Sequence, residues 1–190
     1  MENYYISDLH LGHKNALKFD NRSFESLEEQ DRTVLKNINN SVKKGDNLYL
    51  LGDIFWYSSD EAYKMLDEIE CQNIFLITGN HDWWVKGAER RKRLSGVYDL
   101  KRITDKGRIV ILCHFPLAVW DQSHRGSYHL YGHVHRNLAE DGMSDTHQIL
   151  EHPEMANAYN VGCMLPWMDY TPRTLDEIIN RCKLHKEPLL

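Results

Sequence analysis

The chain reads Asn73-Ile74-Phe75-Leu76-Ile77-Thr78-Gly79-Asn80-His81-Asp82 near its middle. The run of β-branched and aromatic residues is typical of a buried strand, and the glycine indicates that this strand stops abruptly. An amide, an imidazole and a carboxylate follow the glycine, and these groups bind metal ions or transfer protons. A loop that needed only solubility would carry Lys, Glu, Ser or a second Gly. This stretch therefore predicts a functional site at the end of a buried strand.

The same pattern recurs, because five apolar runs in this chain end at a residue that can bind a metal. The five residues are Asp8, Asp53, Asn80, His114 and His133. In open α/β sheets, ligands bind outside the carboxyl ends of the strands. We therefore expect these five side chains to converge on one edge of the fold.

Two motifs place a second candidate ligand two residues after the first: Asp8-Leu9-His10 and His133-Val134-His135. In extended backbone, residues i and i+2 point the same way and lie about 6.5–7 Å apart. That separation allows two side chains to straddle a pair of metal ions about 3.5–4 Å apart. The mixture of carboxylate, amide and imidazole favours Mn²⁺, Fe or Zn²⁺ over Ca²⁺, which prefers all-oxygen ligands.

The hydrophobic periodicity predicts alternating strands and helices in the first half of the chain and closely spaced strands in the second half. Helices are expected from Ser26 to Gly45, from Ser59, over residues 84–94 and from Thr174 to about His185, with a loop over residues 14–25. Strands are expected from Gly96 to Ile103 and over residues 147–150 and 158–162. Alternation implies parallel strands, and the strand-rich half implies a second, mixed or antiparallel sheet. The prediction is an α/β fold in one domain, residues 1–190: a four-layer α/β/β/α sandwich of two mixed β-sheets.

Composition excludes several classes of protein. Of 190 residues, 42% are hydrophobic and 27% are charged, which is ordinary for a globular domain. The net charge of −5 argues against a protein held to DNA or an anionic membrane by its overall field. The N-terminus has no signal-peptide pattern, no apolar run reaches transmembrane length, and the four cysteines are scattered. These features predict a cytoplasmic protein with reduced thiols and no membrane partner.

The motifs of the chain, in order, are Asp8-x-His10, Gly52-Asp53, Gly79-Asn80-His81-Asp82, His114 and Gly132-His133-x-His135. Together they resemble the five-motif signature of the calcineurin-like metallophosphoesterases, and they span residues 8–135. The resemblance implies the metallo-dependent phosphatase fold, which agrees with the sandwich that the strand pattern predicts. It also implies an enzyme with a dinuclear metal centre that hydrolyses phosphate esters.

The resemblance implies a role for each of these residues. One metal would be held by Asp8, His10, Asp53 and His135, and the other by Asp53, Asn80, His114 and His133. Asp53 would bridge the two ions, and a hydroxide between them would attack phosphorus. His81 would face the leaving group as the general acid, and Asp82 would hold His81 in the right tautomer. Both ions are expected to be Mn²⁺, with Fe, Zn²⁺ and Ni²⁺ as alternatives.

Two departures from family patterns narrow the expected substrate. The Ser/Thr protein phosphatases of the superfamily carry Gly-Asp-x-Val-Asp-Arg-Gly and Gly-Asn-His-Glu, whereas this chain has Ile54-Phe55-Trp56 after Asp53 and Asp82 after His81. Cys113 precedes His114 where many members have Gly, which is a modest change. We expect hydrolysis of phosphomonoesters or phosphodiesters, with a tilt toward diesters and nucleotide-like substrates. The alternatives are a catalytically silent binding scaffold of the same fold and a metal-dependent hydrolase of non-phosphate esters.

Three further residues are candidates for substrate binding: His13, Arg22 and Arg125. Arg22 is a candidate phosphate clamp, with an exposed loop arginine as the alternative, and His13 is equally a structural histidine. The basic cluster from Lys86 to Arg93 is a candidate guide for nucleic acid, but a solvated helix face is the favoured interpretation. The five tryptophans suggest a base-stacking platform, with core packing or a dimer contact as the favoured alternative. The sequence leaves the oligomeric state open.

Overall fold

The computed structural model describes residues 1–85, 92–135 and 152–186, in which the strands form two sheets. The first sheet contains, in this order, β1 (Asn3–Ile6), β2 (Asn47–Leu50), β3 (Asn73–Ile77) and β4 (Gly96–Tyr98). Its strand pairs are all parallel, so this sheet is parallel rather than mixed. The carboxyl ends of its strands therefore lie at one edge, where ligands bind in α/β proteins.

The second sheet contains β5 (Leu100–Asp105), β6 (Arg108–Cys113), β7 (Tyr128–Tyr131) and β8 (Ala158–Asn160). β5 and β6 form an antiparallel hairpin whose loop residues, Lys106 and Gly107, both have positive φ, as a type I′ turn requires. The pairs β6–β7 and β7–β8 are parallel, which makes this sheet mixed. The predicted architecture of two sheets with helices is confirmed.

The single strand predicted from Gly96 to Ile103 is two strands in different sheets. β4 ends at Tyr98 and β5 begins at Leu100, so the chain passes from the first sheet to the second at Asp99. Thr78 Oγ1 donates a hydrogen bond to Asp99 Oδ1 at 2.6 Å, which holds this crossing beside the end of β3. The strand predicted over residues 147–150 lies outside the described residues.

The described α-helices are α1 (Ala16–Phe19), α2 (Leu27–Ser41), α3 (Ser59–Asp67) and α4 (Leu175–Lys186). α1 is a single turn inside the segment predicted as a loop. α2 begins at the predicted cap, where Ser26 Oγ accepts from Glu29 N–H at 3.1 Å, and Ser58 rather than Ser59 caps α3. The helix predicted over residues 84–94 is a short 3₁₀ helix at Trp83–Val85, and residues 86–91 lie outside the described part. Among the described helices, none is long and apolar enough to cross a membrane.

Both sheets contribute side chains to one hydrophobic core. Leu50 and Leu76 from the first sheet belong to the same buried cluster as Val110, Leu112 and Leu130 from the second. The helices α2, α3 and α4 add their apolar faces to this cluster. Burial of each such side chain stabilises the fold by about 1.5–3 kcal/mol, so the shared core fixes the sheets against each other.

The two sheets are also joined by backbone hydrogen bonds directly after β1. Ser7 N–H donates to Val161 O at 2.9 Å, and Cys163 N–H donates to Ser7 O at 2.9 Å. This bridge ties the residue that follows β1 to the segment that follows β8. Strand ends from both sheets therefore meet where Asp8 begins the next loop.

Candidate metal centre

Four of the candidate metal ligands lie in loops after the strands and have an unusual backbone conformation. Asp8, His10, Asp53 and His133 have φ angles of 55°, 50°, 56° and 67°. Non-glycine residues rarely adopt this left-handed conformation, which costs on the order of 1–3 kcal/mol and clusters at functional sites. The extended backbone expected for the Asp8 and His133 motifs is therefore wrong, because these side chains converge through left-handed turns instead.

Six of the seven predicted ligands form two groups of three. They are the Asp8 group (Asp8, His10 and His135) and the Asp53 group (Asp53, His114 and His133). Within each group, one candidate ligand atom from every residue lies within 4.8 Å of the others. His133 and His135 are two apart in sequence but belong to different groups, as the family resemblance implies.

Asp53 belongs to one group and also faces the other. Its Oδ2 atom is 3.4 Å from His114 Nε2, in its own group, and 3.9 Å from His10 Nε2, in the other. Its Oδ1 atom accepts a hydrogen bond from His81 N–H at 2.9 Å, which fixes the carboxylate plane. Asn80, the remaining predicted ligand, is exposed on the same loop, directly before His81.

Buried imidazole nitrogens without partners indicate that these groups suit a metal ion. Among the described residues, His10 Nδ1 is buried without a hydrogen-bond partner, and the buried His114 Nε2 faces only the Asp53 carboxylate, 3.4 Å away and outside hydrogen-bond geometry. A buried polar atom without a partner costs about 1–3 kcal/mol unless something binds it. His114 Nδ1 lies 2.7 Å from Leu51 O and donates to it, which leaves Nε2 facing Asp53, where a metal ion would take the place of a proton. Carboxylates beside such nitrogens are a donor set that fits divalent transition metals.

Three glycines give this centre the space it needs. A Cβ atom at Gly132 would overlap the Asp8 carboxylate, and the other two glycines lie beside the Asp53 group. Gly52 has a φ of +87°, and a Cβ atom at this position would overlap the His114 ring. A Cβ atom at Gly79 would overlap the Asp53 carboxylate. Gly79 does not have the positive φ that a sharp left-handed turn would need, so the space beside Asp53 explains this glycine better than a special turn does.

The ionisation of the centre is dominated by Asp53 and His114. Burial alone would raise the pKa of Asp53, but contact with His114 and the amide of His81 lower it to about 2. Burial alone would lower the pKa of His114, but the carboxylates of Asp53 and Asp8 raise it to about 9. Burial lowers the pKa of His10 to about 4, so its ring is neutral at pH 7. A metal ion entering the Asp53 group must therefore displace a proton from His114.

The sequence pattern of the calcineurin-like phosphoesterases matches residues 4–152 of this chain. The chain belongs to this family. An uncharacterized protein of Methanocaldococcus jannaschii is 35% identical over 140 residues, which cover 73% of this chain and 72% of that protein. The gene 66 protein of Mycobacterium phage L5 is 28% identical over 159 residues, which cover 70% of this chain and 76% of that protein. The crystal structure of a protein of unknown function from Aquifex aeolicus has 26% identity and a TM-score of 0.67, over 94% of this chain and 98% of that one.

In this calcineurin-like phosphoesterase, Asp82 holds the loops of the centre together rather than orienting His81. Its Oδ2 atom accepts from the backbone N–H of Asp53 at 2.9 Å and of Gly79 at 2.8 Å. Its Oδ1 atom accepts from Ile54 N–H at 3.1 Å and from the indole of Trp84 at 2.8 Å. Burial raises the pKa of this carboxyl group. The predicted role is corrected accordingly, because both oxygens are occupied by donors that fix the Asp53 loop.

Arg22 is not available to clamp substrate phosphate in this member of the family. Its side chain is fully buried and forms an ion pair with Asp20 at 2.7 Å, so the alternative of an exposed loop arginine is wrong as well. Asp20 in turn lies 2.6 Å from His135 Nδ1, behind the metal centre. Asp20 is a functional residue that the sequence does not mark, since its only signal is an Asp two residues before an Arg in a polar, aromatic loop.

His13 lies beside the Asp8 group, at the edge of the centre. Its ring stacks on Trp56, with centroids 3.9 Å apart and planes 10° apart, and lies 5.6 Å from the His10 ring. Trp56 also contacts the ring of His81, at 4.5 Å between centroids. His13 therefore supports an aromatic wall beside the catalytic candidate His81.

Of the other predicted contact residues, the structure describes Arg125, Lys92 and Arg93. Arg125 is exposed in a short 3₁₀ helix, Ser123–Arg125, between β6 and β7. Most of the basic cluster from Lys86 to Arg93 falls outside the described residues. Arg93 donates to the carbonyl oxygens of Ile69 and Cys71, so its guanidinium stabilises the turn before β3.

Proposed function

We propose that this chain is a dinuclear-metal phosphoesterase that hydrolyses phosphomonoester or phosphodiester bonds, within a single domain of residues 1–190. The position of Asp53 carries this proposal, because its Oδ2 atom lies 3.4 Å from His114 Nε2 and 3.9 Å from His10 Nε2. A carboxylate so placed suits two ions about 3.5–4 Å apart, which is the spacing of two-metal phosphoesterase sites. Family membership supports the same chemistry.

The bound ions would lower the pKa of water and withdraw charge from the phosphoryl oxygens. The protein would hold the ligands in place and supply a proton to the leaving group. We propose that His81 donates this proton, since its ring is half-buried and lies 6.2 Å from the ring of His10. The His81 amide bonds to Asp53 Oδ1 at 2.9 Å, so the acid and the shared carboxylate are tied to one loop. We expect Asn80 to complete the Asp53 group.

The ligand chemistry favours Mn²⁺, with Fe, Zn²⁺ and Ni²⁺ as alternatives. Imidazole suits Zn²⁺, Fe and Ni²⁺, whereas carboxylate suits Mn²⁺, and each group combines both types. The four cysteines are buried and form no disulfide, and neither candidate metal group contains one. Reduced thiols suit the cytoplasm, where we expect the enzyme to act.

Exposed aromatic rings beside both groups favour a substrate that carries a flat ring, such as a nucleotide phosphodiester. Phe19 is 41% exposed and lies 5.4 Å from the His135 ring, and Phe115 is 42% exposed and lies 4.6 Å from the His133 ring. Stacking of a base on an aromatic side chain contributes about 1–3 kcal/mol. Trp56, which is 36% exposed, offers a third such surface.

The test compares hydrolysis of aryl phosphomonoesters, aryl phosphodiesters and nucleotide diesters by the metal-free protein and by the protein with Mn²⁺. We expect no turnover in EDTA, turnover with Mn²⁺, and a higher kcat/KM for diesters that carry a base. A folded protein that binds two ions but hydrolyses none of these esters would support a binding scaffold instead. Metal-dependent cleavage confined to carboxylic esters would support a non-phosphate hydrolase.

A further inference from the structure

The ion pair of Asp20 and Arg22 is completely buried beneath the Asp8 group. Arg22 Nε and Nη2 both donate to Asp20 Oδ2, at 2.9 and 2.7 Å. Arg22 Nη1 also donates to Gln30 Oε1, at 3.1 Å. Both side chains of the pair are fully buried. A buried ion pair is seldom worth its desolvation cost unless every donor has a partner, so its occurrence here needs a reason.

The guanidinium also binds the backbone of the left-handed ligand loop. Arg22 Nη2 donates to Asp8 O at 2.9 Å, and Nη1 donates to Leu9 O at 2.7 Å. The thiol of Cys163 donates to the same Asp8 oxygen, at 3.1 Å. The two carbonyl groups lie between Asp8 and His10, whose φ angles are 55° and 50°. These charged hydrogen bonds therefore hold the peptide planes in the strained orientation that aims both ligands.

The other carboxylate oxygen of Asp20 contacts His135, which is the third residue of the Asp8 group. Asp20 Oδ1 lies 2.6 Å from His135 Nδ1, while His135 Nε2 lies 3.7 Å from Asp8 Oδ1. A carboxylate at Nδ1 requires the proton on that nitrogen, which leaves the lone pair of Nε2 directed at the metal position. The one ion pair thus orients all three residues of the Asp8 group.

The Asp53 group has no comparable support from a buried ion pair among the described residues. There, the second imidazole nitrogen of His114 bonds to the backbone oxygen of Leu51. The influence of the pair should therefore be confined to one of the two metal sites.

We propose that Asp20 and Arg22 are positioning residues that set the metal affinity of the Asp8 group. This proposal rests on the proposed function only in that the Asp8 group binds a metal ion, and turnover is not needed to test it. Loss of a carboxylate that orients a ligating histidine lowers metal affinity by about 10- to 100-fold. The loss should fall on one ion and spare the other.

The test measures Mn²⁺ affinity and stoichiometry of the full chain by calorimetry, with electron paramagnetic resonance to detect the coupled ion pair. In Asp20→Asn, we expect one ion to bind about 10- to 100-fold more weakly, the other to bind as in the wild type, and the coupled signal to weaken at limiting Mn²⁺. The control is Asp121→Asn, which makes the same change in the exposed Arg102–Asp121 ion pair of 2.9 Å and should alter neither site.

Two further measurements keep the test decisive if Asp20→Asn does not fold, as judged by circular dichroism in EDTA. Arg22→Lys keeps the buried charge but cannot bond two backbone oxygens and Asp20 together, so it should weaken the same single ion. In the Zn²⁺-loaded wild type, nitrogen NMR of the histidines should show a slowly exchanging proton on His135 Nδ1.

The outcomes separate this proposal from the proposed function. Two ions bound with wild-type affinity in a folded Asp20→Asn or Arg22→Lys variant would overturn the positioning role and leave the phosphoesterase intact. A His135 that binds Zn²⁺ through Nδ1 would overturn it equally. A wild-type chain that binds no ion would overturn both.

Discussion

The two candidate metal groups differ in what holds them. The Asp8 group is oriented by buried charged side chains, with Arg22 on its backbone and Asp20 on His135. In the Asp53 group, the ligand side chains bond to backbone, since His81 N–H bonds the Asp53 carboxylate and Leu51 O faces His114 Nδ1. The buried Asp82 carboxylate holds the loop of this group through backbone amides and contacts neither ligand side chain. Each group also needs a glycine that leaves room for its carboxylate, Gly132 beside Asp8 and Gly79 beside Asp53. The buried ion pair of Asp20 and Arg22 is therefore what sets the Asp8 group apart.

This difference gives each group its own weak point. A conservative substitution at Asp20 should loosen one ion and leave the other bound. Substitution of a glycine beside the Asp53 group should strain the junction of the strand loops, because a new Cβ would overlap a ligand. Substitution of Asp53, which faces both groups, should weaken metal binding in both of them.

The largest effect is expected for Asp53→Asn. The amide keeps the shape of the side chain but removes the negative charge that faces both His10 and His114. We expect both ions to bind more weakly and kcat/KM for an aryl phosphodiester to fall by at least about 10³-fold, which corresponds to about 4 kcal/mol. Calorimetry and kinetics at saturating Mn²⁺ measure the two effects. Loss of only one ion would show that Asp53 serves a single group.

The next largest effect is expected for Gly52→Ala, which should lower the free energy of unfolding. A left-handed alanine costs roughly 1–2 kcal/mol, and the overlap with the His114 ring adds a packing cost of about 1–3 kcal/mol. The control is Gly107→Ala in the β5–β6 turn, which has a φ of +81° but open space for a Cβ. Urea unfolding in EDTA should show a loss about twice as large for Gly52→Ala. Equal losses would show that the clash is absorbed without cost.

The convergence of the candidate ligands followed from the sequence, because it depends on where strands end. Apolar runs mark the strands, and Asp8, Asp53, His114 and His133 stand at the points where those runs stop. Periodicity carries no information about φ, so the left-handed turns at Asp8 and His10 were not foreseeable from it. A short motif reveals which residues can bind, but not the backbone that aims them.

The wrong roles predicted for Arg22 and Asp82 share a physical cause, which is burial of polar groups. A sequence shows that Arg22 and Asp82 are charged, and charged residues are usually exposed. Here, each is buried and bonded to backbone from distant loops. These partners lie far apart in sequence, so only the folded chain brings them together. The crossing at Asp99 was missed because the strand pattern continues from one sheet into the next.

A smaller effect is expected from pH on the metal-free protein. The pKa of His114 is raised to about 9, and contact with Asp20 raises that of His135 against the opposing effect of burial. A raised pKa stabilises the folded state below the ordinary value of about 6.5, and this stability is lost as pH rises toward 9. The free energy of unfolding in EDTA should therefore fall between pH 6.5 and 8.5, by on the order of 2 kcal/mol.

The same pH range distinguishes the two groups. In Asp20→Asn, His135 loses the partner that raises its pKa, so the remaining fall belongs to His114 and the Asp53 group. Metal affinity should move the other way and rise with pH, since each ion competes with bound protons. Stability in EDTA that is flat from pH 6.5 to 8.5 would argue against a protonated His114 in the metal-free protein.

The smallest effect is expected for His81→Ala on an activated ester. A good leaving group needs little help from an acid, so an aryl diester should lose less than about 10-fold in kcat, whereas an alkyl diester should lose about 10²-fold or more. The loss for either ester should be smaller than that of Asp53→Asn on the aryl diester. Equal losses on both esters would mean that His81 does not protonate the leaving group.

The most direct test of two separate metal groups is the number of Mn²⁺ ions retained per chain after dialysis. Wild-type protein is compared with His135→Ala, which affects the Asp8 group, and with His133→Ala, which affects the Asp53 group. The two groups predict two ions in the wild type and one in each variant. A wild type that retains no ion, or two variants that each retain both, would contradict a dinuclear centre built from these residues.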